Sequence, residues 1–189
     1  MINKNVKGQE VRGNRFNICN SFFAPVFSSI FPLIFLIVIF SGCTKVDVEK
    51  PVPIELTRAH SCGLCGMITV DFPGSKGQIH YSNGKIDTFC CTLDMMTFYL
   101  QPDSPKNITA IFVNDMGKSD WERPTGHWID AKKAYYVFGG NIMGPMGEAL
   151  VPFLNIKDAE AYIKEQSGKI VKFYDINMKM LRPKARSHS

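Results

Sequence analysis

The segment Cys62–Met67 reads Cys-Gly-Leu-Cys-Gly-Met and places two thiols and one thioether within six residues. Soft sulfur donors of this kind select soft, thiophilic metal ions, above all Cu(I). A second methionine in a predicted tight turn, Met146, lies between Pro145 and Gly147, far downstream in the chain. Together these sulfur residues predict a protein that holds a copper ion and passes it on.

A Cys-x-x-Cys pair has three common roles: half of a zinc site, a redox dithiol, or a soft-metal site. A structural zinc site needs two further Cys or His ligands at similar spacing, and Cys90 and Cys91 are adjacent, so they do not easily face one ion. A thioredoxin-like motif opens a helix, whereas the residues after Gly66 read as a strand. The soft-metal role is favoured because the thioether of Met67 binds Cu(I) without deprotonation.

The other sulfur and histidine residues are weaker candidates. Cys90 and Cys91 are either two small buried residues at the start of a helix or a second soft-metal site. Most methionines fill gaps in cores, and Met95 and Met96 are expected to do so. His60 is expected at the surface.

The first 42 residues read as a targeting segment. A basic start is followed by an apolar run from Phe22 to Phe40, and the run ends in Ser-Gly before Cys43. This pattern is typical of a secretory signal peptide, and the cysteine at that position predicts a lipoprotein in which Cys43 is acylated. The alternative is an uncleaved transmembrane anchor, since about 20 apolar residues span a bilayer. Both alternatives tether a folded domain outside the cytoplasm.

The formal net charge of +5 arises outside the predicted domain. The leader contributes a net +3, the residues after Leu181 contribute +3 and Lys45 contributes +1, which leaves residues 46–181 at about −2. A nucleic-acid-binding domain is expected to be basic, so we predict no nucleic-acid role. The chain then divides into a leader (1–42), a membrane-proximal linker (43–58), one domain (59–181) and a basic, disordered tail (182–189).

Hydrophobic periodicity and turn residues predict an α+β domain. Asn83-Gly84 is a strong hairpin signal, and Asn155 is expected to cap a helix that Gly168 ends. Helices are predicted over 92–100 and 156–166, and strands over 67–72, 78–81, 85–89, 108–114, 134–138, 148–154 and 169–174. The order of strands, helix and strand occurs twice, around 67–114 and 134–174. This indicates small sheets, each with one packed helix, and a structural duplication.

These motifs, taken in order, resemble the NosL family, the accessory copper lipoproteins of nitrous-oxide reductase maturation. The similarity covers roughly residues 60–170 and includes the lipoprotein signal. The motifs that carry it are Cys62-x-x-Cys65-Gly66-Met67, Gly77-Gln78-Ile79, Val113-x-Asp115, Trp128-Ile129-Asp130-Ala131 with Ala134 and Tyr136-Val137, Gly144-Pro145-Met146-Gly147, Val151-Pro152-Phe153 and Asp158-Ala159.

The resemblance implies a non-enzymatic Cu(I) chaperone, lipid-anchored on the periplasmic side of a bacterial membrane. It implies Cu(I) ligation by Cys65 and Met67, with Met146 inferred as a third ligand and Cys62 as a further candidate. It also implies delivery to nitrous-oxide reductase, with an ABC-type membrane complex as partner, and a fold similar to part of the organomercurial lyases. The rival functions are a structural zinc or soft-metal interaction module and a thiol-based lyase or oxidoreductase.

Overall fold

Two antiparallel sheets make up the part of the chain that the computed structural model describes, residues 50–182. The predicted leader, Cys43 and all of the predicted tail except Arg182 lie outside these residues. Within residues 50–182, no helix is both long enough and apolar enough to cross a membrane.

The first sheet has the strand order β2-β1-β3-β4. Its central hairpin joins β1 to β2 in antiparallel register, with Gly77 opposite Phe89. Helix α1 follows β2, and a loop then leads to β3, which pairs with the other edge of β1. The elements are β1 (Gly77–Tyr81), β2 (Ile86–Phe89), α1 (Thr92–Tyr99), β3 (Ile108–Asn114) and β4 (Trp128–Asp130).

The second sheet has the strand order β6-β5-β7 and is followed by a short helix, α3. Its elements are β5 (Tyr135–Gly144), β6 (Gly147–Phe153), α2 (Ile156–Gln166), β7 (Lys169–Lys172) and α3 (Met178–Leu181). Each sheet therefore contains a strand-strand-helix-strand unit whose first strand is central. The predicted α+β class and the predicted duplication are confirmed.

The second sheet buries both of its faces. Tyr136 on one face of β5 belongs to the large core that also contains α1 and the first sheet, whereas Val137 on the other face packs with α2. Adjacent residues of a strand point to opposite faces, so β5 connects the two cores. Met95 and Met96 of α1 are fully buried in the large core, as expected.

Residues 50–58 lie against the first sheet. The side-chain amide of Gln78 accepts a hydrogen bond from the backbone N–H of Ile54 at 3.0 Å and donates one to its carbonyl at 2.6 Å. The carboxylate of Glu55 accepts hydrogen bonds from the indole of Trp128 at 2.9 Å and from the backbone of Gly126 at 3.2 Å. These contacts fix the chain just before the cysteine-bearing segment.

The predicted strand over 67–72 is wrong. Ile68 makes a single antiparallel bridge to Ser61, and Thr69–Asp71 forms a 3₁₀ turn. The backbone N–H and the hydroxyl of Thr69 both donate to the carbonyl of His60, at 3.0 and 3.1 Å. This local bonding by a threonine hydroxyl competes with a strand ladder.

Two predictions at the second sheet also need correction. Asn155 stands at the N-cap position of α2, but its side chain makes no cap bond and donates instead to Asp158. Strand β7 ends at Lys172, because Phe173–Asp175 forms a 3₁₀ turn in which Asp175 accepts from the backbone N–H of Lys172.

Candidate metal centre

A tight loop carries Cys62, Cys65 and Met67. The backbone N–H of Cys62 donates to the carbonyl of Met67 at 2.7 Å, and that of Gly66 donates to the carbonyl of Cys62 at 2.9 Å. Gly66 has φ +76°, in the left-handed region that glycine adopts without strain. The loop therefore closes upon itself and turns the Cys65 side chain back toward Cys62.

The loop docks on the free edge of β2. Cys62 forms a parallel bridge with Thr88, and the backbone N–H of Gly63 donates to the Thr88 carbonyl at 2.8 Å. The hydroxyl of Thr88 donates to the carbonyl of Ser61 at 2.9 Å. Because β2 ends one residue later at Phe89, this docking brings the Cys-x-x-Cys pair beside Cys90.

Cys90 and Cys91 have separate roles. Cys91 has an extended backbone, with φ −151° and ψ 159°, and caps α1 by accepting a hydrogen bond from the backbone N–H of Asp94 at 3.4 Å. Extended neighbours point to opposite sides, so Cys90 faces the docked loop. Both cysteines are buried at the start of α1, as the first alternative predicted, but only Cys90 is among the donor groups that converge.

Four donor groups converge at this junction. The donor atoms of Cys62, Cys65, Cys90 and Asp94 all lie within 4.8 Å of one another. The Sγ atoms of Cys65 and Cys90 are 3.5 Å apart, and Asp94 Oδ2 is 3.4 Å from Cys62 Sγ and 3.5 Å from Cys90 Sγ. We refer to these four residues as the cysteine cluster.

The spacing of the cysteine cluster suits a metal ion. Three sulfurs around one ion at about 2.3 Å lie about 4 Å from each other, whereas a disulfide needs about 2.05 Å. The four cysteines among residues 50–182 are free thiols. Cys65 is partly exposed, whereas Cys62, Cys90 and Asp94 are buried, so the cluster opens to solvent on the Cys65 side.

Burial and mutual hydrogen bonding shift the acidities of the cluster. The thiol of Cys90 hydrogen-bonds the sulfur of Cys62 and lowers the pKa of Cys62 to about 4, while that bond raises the pKa of Cys90. Desolvation raises the pKa of Cys65 to about 11 and also raises the pKa of Asp94. Hydrogen bonding thus favours the thiolate at Cys62, whereas burial disfavours it at Cys65.

A buried lysine lies behind the cluster. Lys76 is only 2% exposed, and its ammonium donates to the backbone carbonyls of Phe72, Pro73 and Cys90. Desolvation lowers the pKa of Lys76 to about 8. The lysine therefore remains a cation at neutral pH, close to the thiols.

The structure groups only part of the predicted donor set. Cys62 and Cys65 are in the cysteine cluster, and the half-buried Met67 packs on the same core two residues after Cys65. Met146 occupies the turn between β5 and β6, is 42% exposed, and lines a narrow cleft with Cys91 and Thr92. The structure thus places Met146 beside the N-terminus of α1, on the Cys91 side.

The structure adds two members that the sequence motifs do not assign to this site. From the sequence, Cys90 is a candidate only for a second site with Cys91, and Asp94 has no predicted role. The available signal was an acidic residue in the first turn of a helix that follows a cysteine pair. His60 lies outside the cluster; its Nδ1 accepts a hydrogen bond from the backbone of Thr57 at 3.0 Å.

Comparison with known proteins identifies the family. The NosL family model matches residues 53–181, which is most of the chain. A copper-binding lipoprotein NosL from Stutzerimonas stutzeri is 38% identical over 148 residues, which cover 77% of each protein. The chain belongs to the NosL family. The resemblance inferred from the sequence motifs is confirmed.

Two further relatives support membership of the NosL family. A copper-binding lipoprotein NosL from Achromobacter cycloclastes is 31% identical over 146 residues, covering 75% of this chain and 76% of that protein. The crystal structure of the copper chaperone NosL from Shewanella denitrificans superposes with a TM-score of 0.64 at 34% identity, covering 69% of this chain and 98% of that one. The similarity therefore covers nearly all of that crystal structure.

Proposed function

We propose that this chain is a Cu(I) carrier that binds the ion at the cysteine cluster. The observation that carries the proposal is the convergence of three thiols and one carboxylate within 4.8 Å, in a member of a family whose relatives are named copper-binding lipoproteins. Thiolates are the ligands that favour Cu(I) over harder ions. Met67 is the neighbouring thioether that supplements them.

The cluster has the properties that a carrier needs. Three of its donors are buried, which protects the bound ion from water, and Cys65 is partly exposed, which lets a partner thiol attack. Gly66 leaves open space beside Cys65, since a Cβ added at Gly66 would meet no atom within 4 Å. Transfer then proceeds by ligand exchange on the Cys65 side, with Met146 proposed as an additional thioether donor during loading or release.

The location of the carrier and its delivery partners are also part of the proposed function. We propose that Cys43 is lipidated and holds the domain on the periplasmic side of a bacterial membrane. We further propose that the copper serves the maturation of nitrous-oxide reductase through an ABC-type membrane complex. The names of the lipoprotein relatives and the Ser-Gly-Cys sequence at the end of the apolar run support the anchor.

Competition with a chromogenic Cu(I) chelator tests the metal site. Wild-type protein is expected to bind one Cu(I), and Cys65→Ser is expected to lose tight binding, because a hydroxyl supplies neither softness nor charge. Met67→Ala should weaken binding less, because it removes a neutral donor. Equal Cu(I) affinity of wild type and Cys65→Ser would contradict the proposed site.

Metal analysis of the purified protein tests the rival function. Three thiols and a carboxylate also form a donor set that zinc accepts in tetrahedral sites, so a structural zinc module is the second candidate. Copper near one equivalent after reductive loading supports the carrier. Bound zinc that neither chelators nor Cu(I) can displace would support the structural module instead.

Intact mass spectrometry of the membrane fraction tests the anchor. The expected species begins at Cys43 and carries acyl chains, and Cys43→Ser should block this maturation. A retained leader or an unmodified Cys43 would contradict the lipid anchor without affecting the metal site.

A further inference from the structure

We propose that Lys76 is a charge-selectivity residue, which makes the cysteine cluster prefer a monovalent over a divalent thiophilic ion. The inference rests on the proposed Cu(I) function and assigns the discrimination between Cu(I) and Zn(II) to this lysine. Lys76 acts through its fixed positive charge beside the thiolates and is not itself a metal ligand.

The strand register places Lys76 beside the cluster. Gly77 stands opposite Phe89 in the β1–β2 ladder, so the residues that flank this pair, Lys76 and Cys90, also lie next to each other. The ammonium of Lys76 donates to the Cys90 carbonyl at 3.0 Å and to the Pro73 carbonyl at 3.4 Å. The position therefore follows from the backbone pairing that also presents Cys90.

The charge of Lys76 has no carboxylate partner in the described part of the chain. The salt bridges among residues 50–182 involve Arg58, Lys85 and Lys133. Burying an ammonium costs several kcal/mol unless an opposite charge compensates. Carbonyl oxygens satisfy its hydrogen bonds, and none of these salt bridges neutralises its charge, so an anionic complex in the adjacent cysteine cluster would compensate it. The positive charge of Lys76 is thus complementary to the negative charge of a metal–thiolate complex.

The preference for a monovalent ion follows from charge counting. When the same number of thiolates bind, the Cu(I) complex carries one more negative charge than the Zn(II) complex. A fixed cation nearby therefore stabilises the Cu(I) complex more, whether two or three thiolates take part. At an effective dielectric constant near 20 and a separation of several ångströms, one unit charge changes the relative affinity by about tenfold or more.

Measuring both affinities in matched variants tests this inference. Lys76→Met removes the charge and keeps an unbranched side chain, while Lys76→Gln removes the charge and keeps a hydrogen-bond donor. Lys157→Met is the control, because it removes the same charge from an exposed position on α2. Cu(I) and Zn(II) dissociation constants are measured by chelator competition on the full-length lipoprotein in detergent, and sulfur ligands are counted by X-ray absorption at the metal edges.

The expected result is a change in the ratio of the two affinities. Both Lys76 variants should shift the Cu(I)-to-Zn(II) affinity ratio toward zinc by at least about tenfold, with an unchanged sulfur count, and Lys157→Met should leave the ratio at the wild-type value. A structural role would weaken both metals together. Because the Gln variant keeps a donor for the carbonyls, agreement between the two Lys76 variants separates lost charge from misfolding.

Two outcomes would overturn the inference, and they differ from each other. If wild-type protein binds Cu(I) and the Lys76 variants keep its affinity ratio, the selectivity role is wrong and the copper carrier stands. If wild-type protein does not bind Cu(I), the proposed function is wrong and the inference falls with it.

Discussion

Replacing Cys90 with serine tests the site that the tertiary structure assembles. Cys90 is fully buried and lies 3.5 Å from both Cys65 Sγ and Asp94 Oδ2, so it supplies one of three sulfurs in the cysteine cluster. Serine is shorter and offers a hard oxygen that Cu(I) does not favour. Cys90→Ser therefore leaves at most two thiolates for the ion.

The expected loss of Cu(I) affinity follows from the position of Cys90 in the cysteine cluster. Loss of a partner that only orients a metal ligand costs 10–100-fold in affinity, and loss of a direct sulfur donor should cost at least the upper end of that range. We expect a decrease in Cu(I) affinity of at least about 100-fold, or about 2.8 kcal/mol. Copper-edge X-ray absorption should show one sulfur fewer.

The adjacent cysteine provides a matched control. Cys91 differs from Cys90 by one position, but it caps α1 and is not one of the four donors of the cysteine cluster. Serine is among the best N-cap residues, so Cys91→Ser should retain the fold and Cu(I) affinity within about threefold, well below the 10–100-fold effect of a lost orienting partner. Urea unfolding of both apo variants separates ligand loss from destabilisation.

Two results would refute the reasoning. If Cys90→Ser binds Cu(I) as tightly as wild type does, Cys90 is not a ligand, and the Cys62–Met67 loop supplies the ligands. Equal losses in both variants, with normal unfolding, would mean that Cys91 also contacts metal and that the two cysteines do act as a pair.

Three further predictions concern Met146, packing and pH. Met146→Ala should slow Cu(I) loading and release in stopped-flow chelator exchange and leave the sulfur count of the bound ion unchanged; unchanged exchange rates would leave Met146 as a turn residue only. Gly77→Ala should lower the free energy of unfolding in urea by about 1–3 kcal/mol, because the new Cβ would lie 2.6 Å from Met95 Sδ. Gly63→Ala is its control, since the nearest atom would be at an ordinary 3.5 Å, and equal losses would contradict the packing argument. Burial lowers the pKa of His80, so the unfolded chain binds this proton more readily, and the free energy of unfolding should fall as pH drops below about 6.5. Replacing His80 with glutamine should flatten that decrease in urea titrations, and an identical slope would assign the decrease to other groups.

Local sequence signals predicted most of the fold. Asn83-Gly84 specified the β1–β2 turn, and Gly84 adopts φ +80° there. The helix over 156–166 has the predicted limits, because its periodic apolar face lies between an N-cap residue and a glycine. Residues 67–72 have residue types that favour a strand, but only Ile68 forms a bridge, to Ser61, so no strand forms. A strand depends on its neighbour, and neighbouring strands are not encoded locally.

By itself, the sequence determined the chemistry on offer: a Cys-x-x-Cys-Gly-Met segment, a cysteine pair and a Met-bearing turn. Their soft sulfur donors indicate copper. Only the tertiary structure decided which sulfurs meet. Cys62 docks beside Thr88 on the edge of β2. Because β2 ends at Phe89, Cys90 and Asp94 then lie next to the docked loop. Gly77 pairs with Phe89, and this register places Lys76 beside Cys90. Residue spacing cannot show this, because contacts between distant segments depend on strand pairing and side-chain direction, which are fixed when the whole core packs.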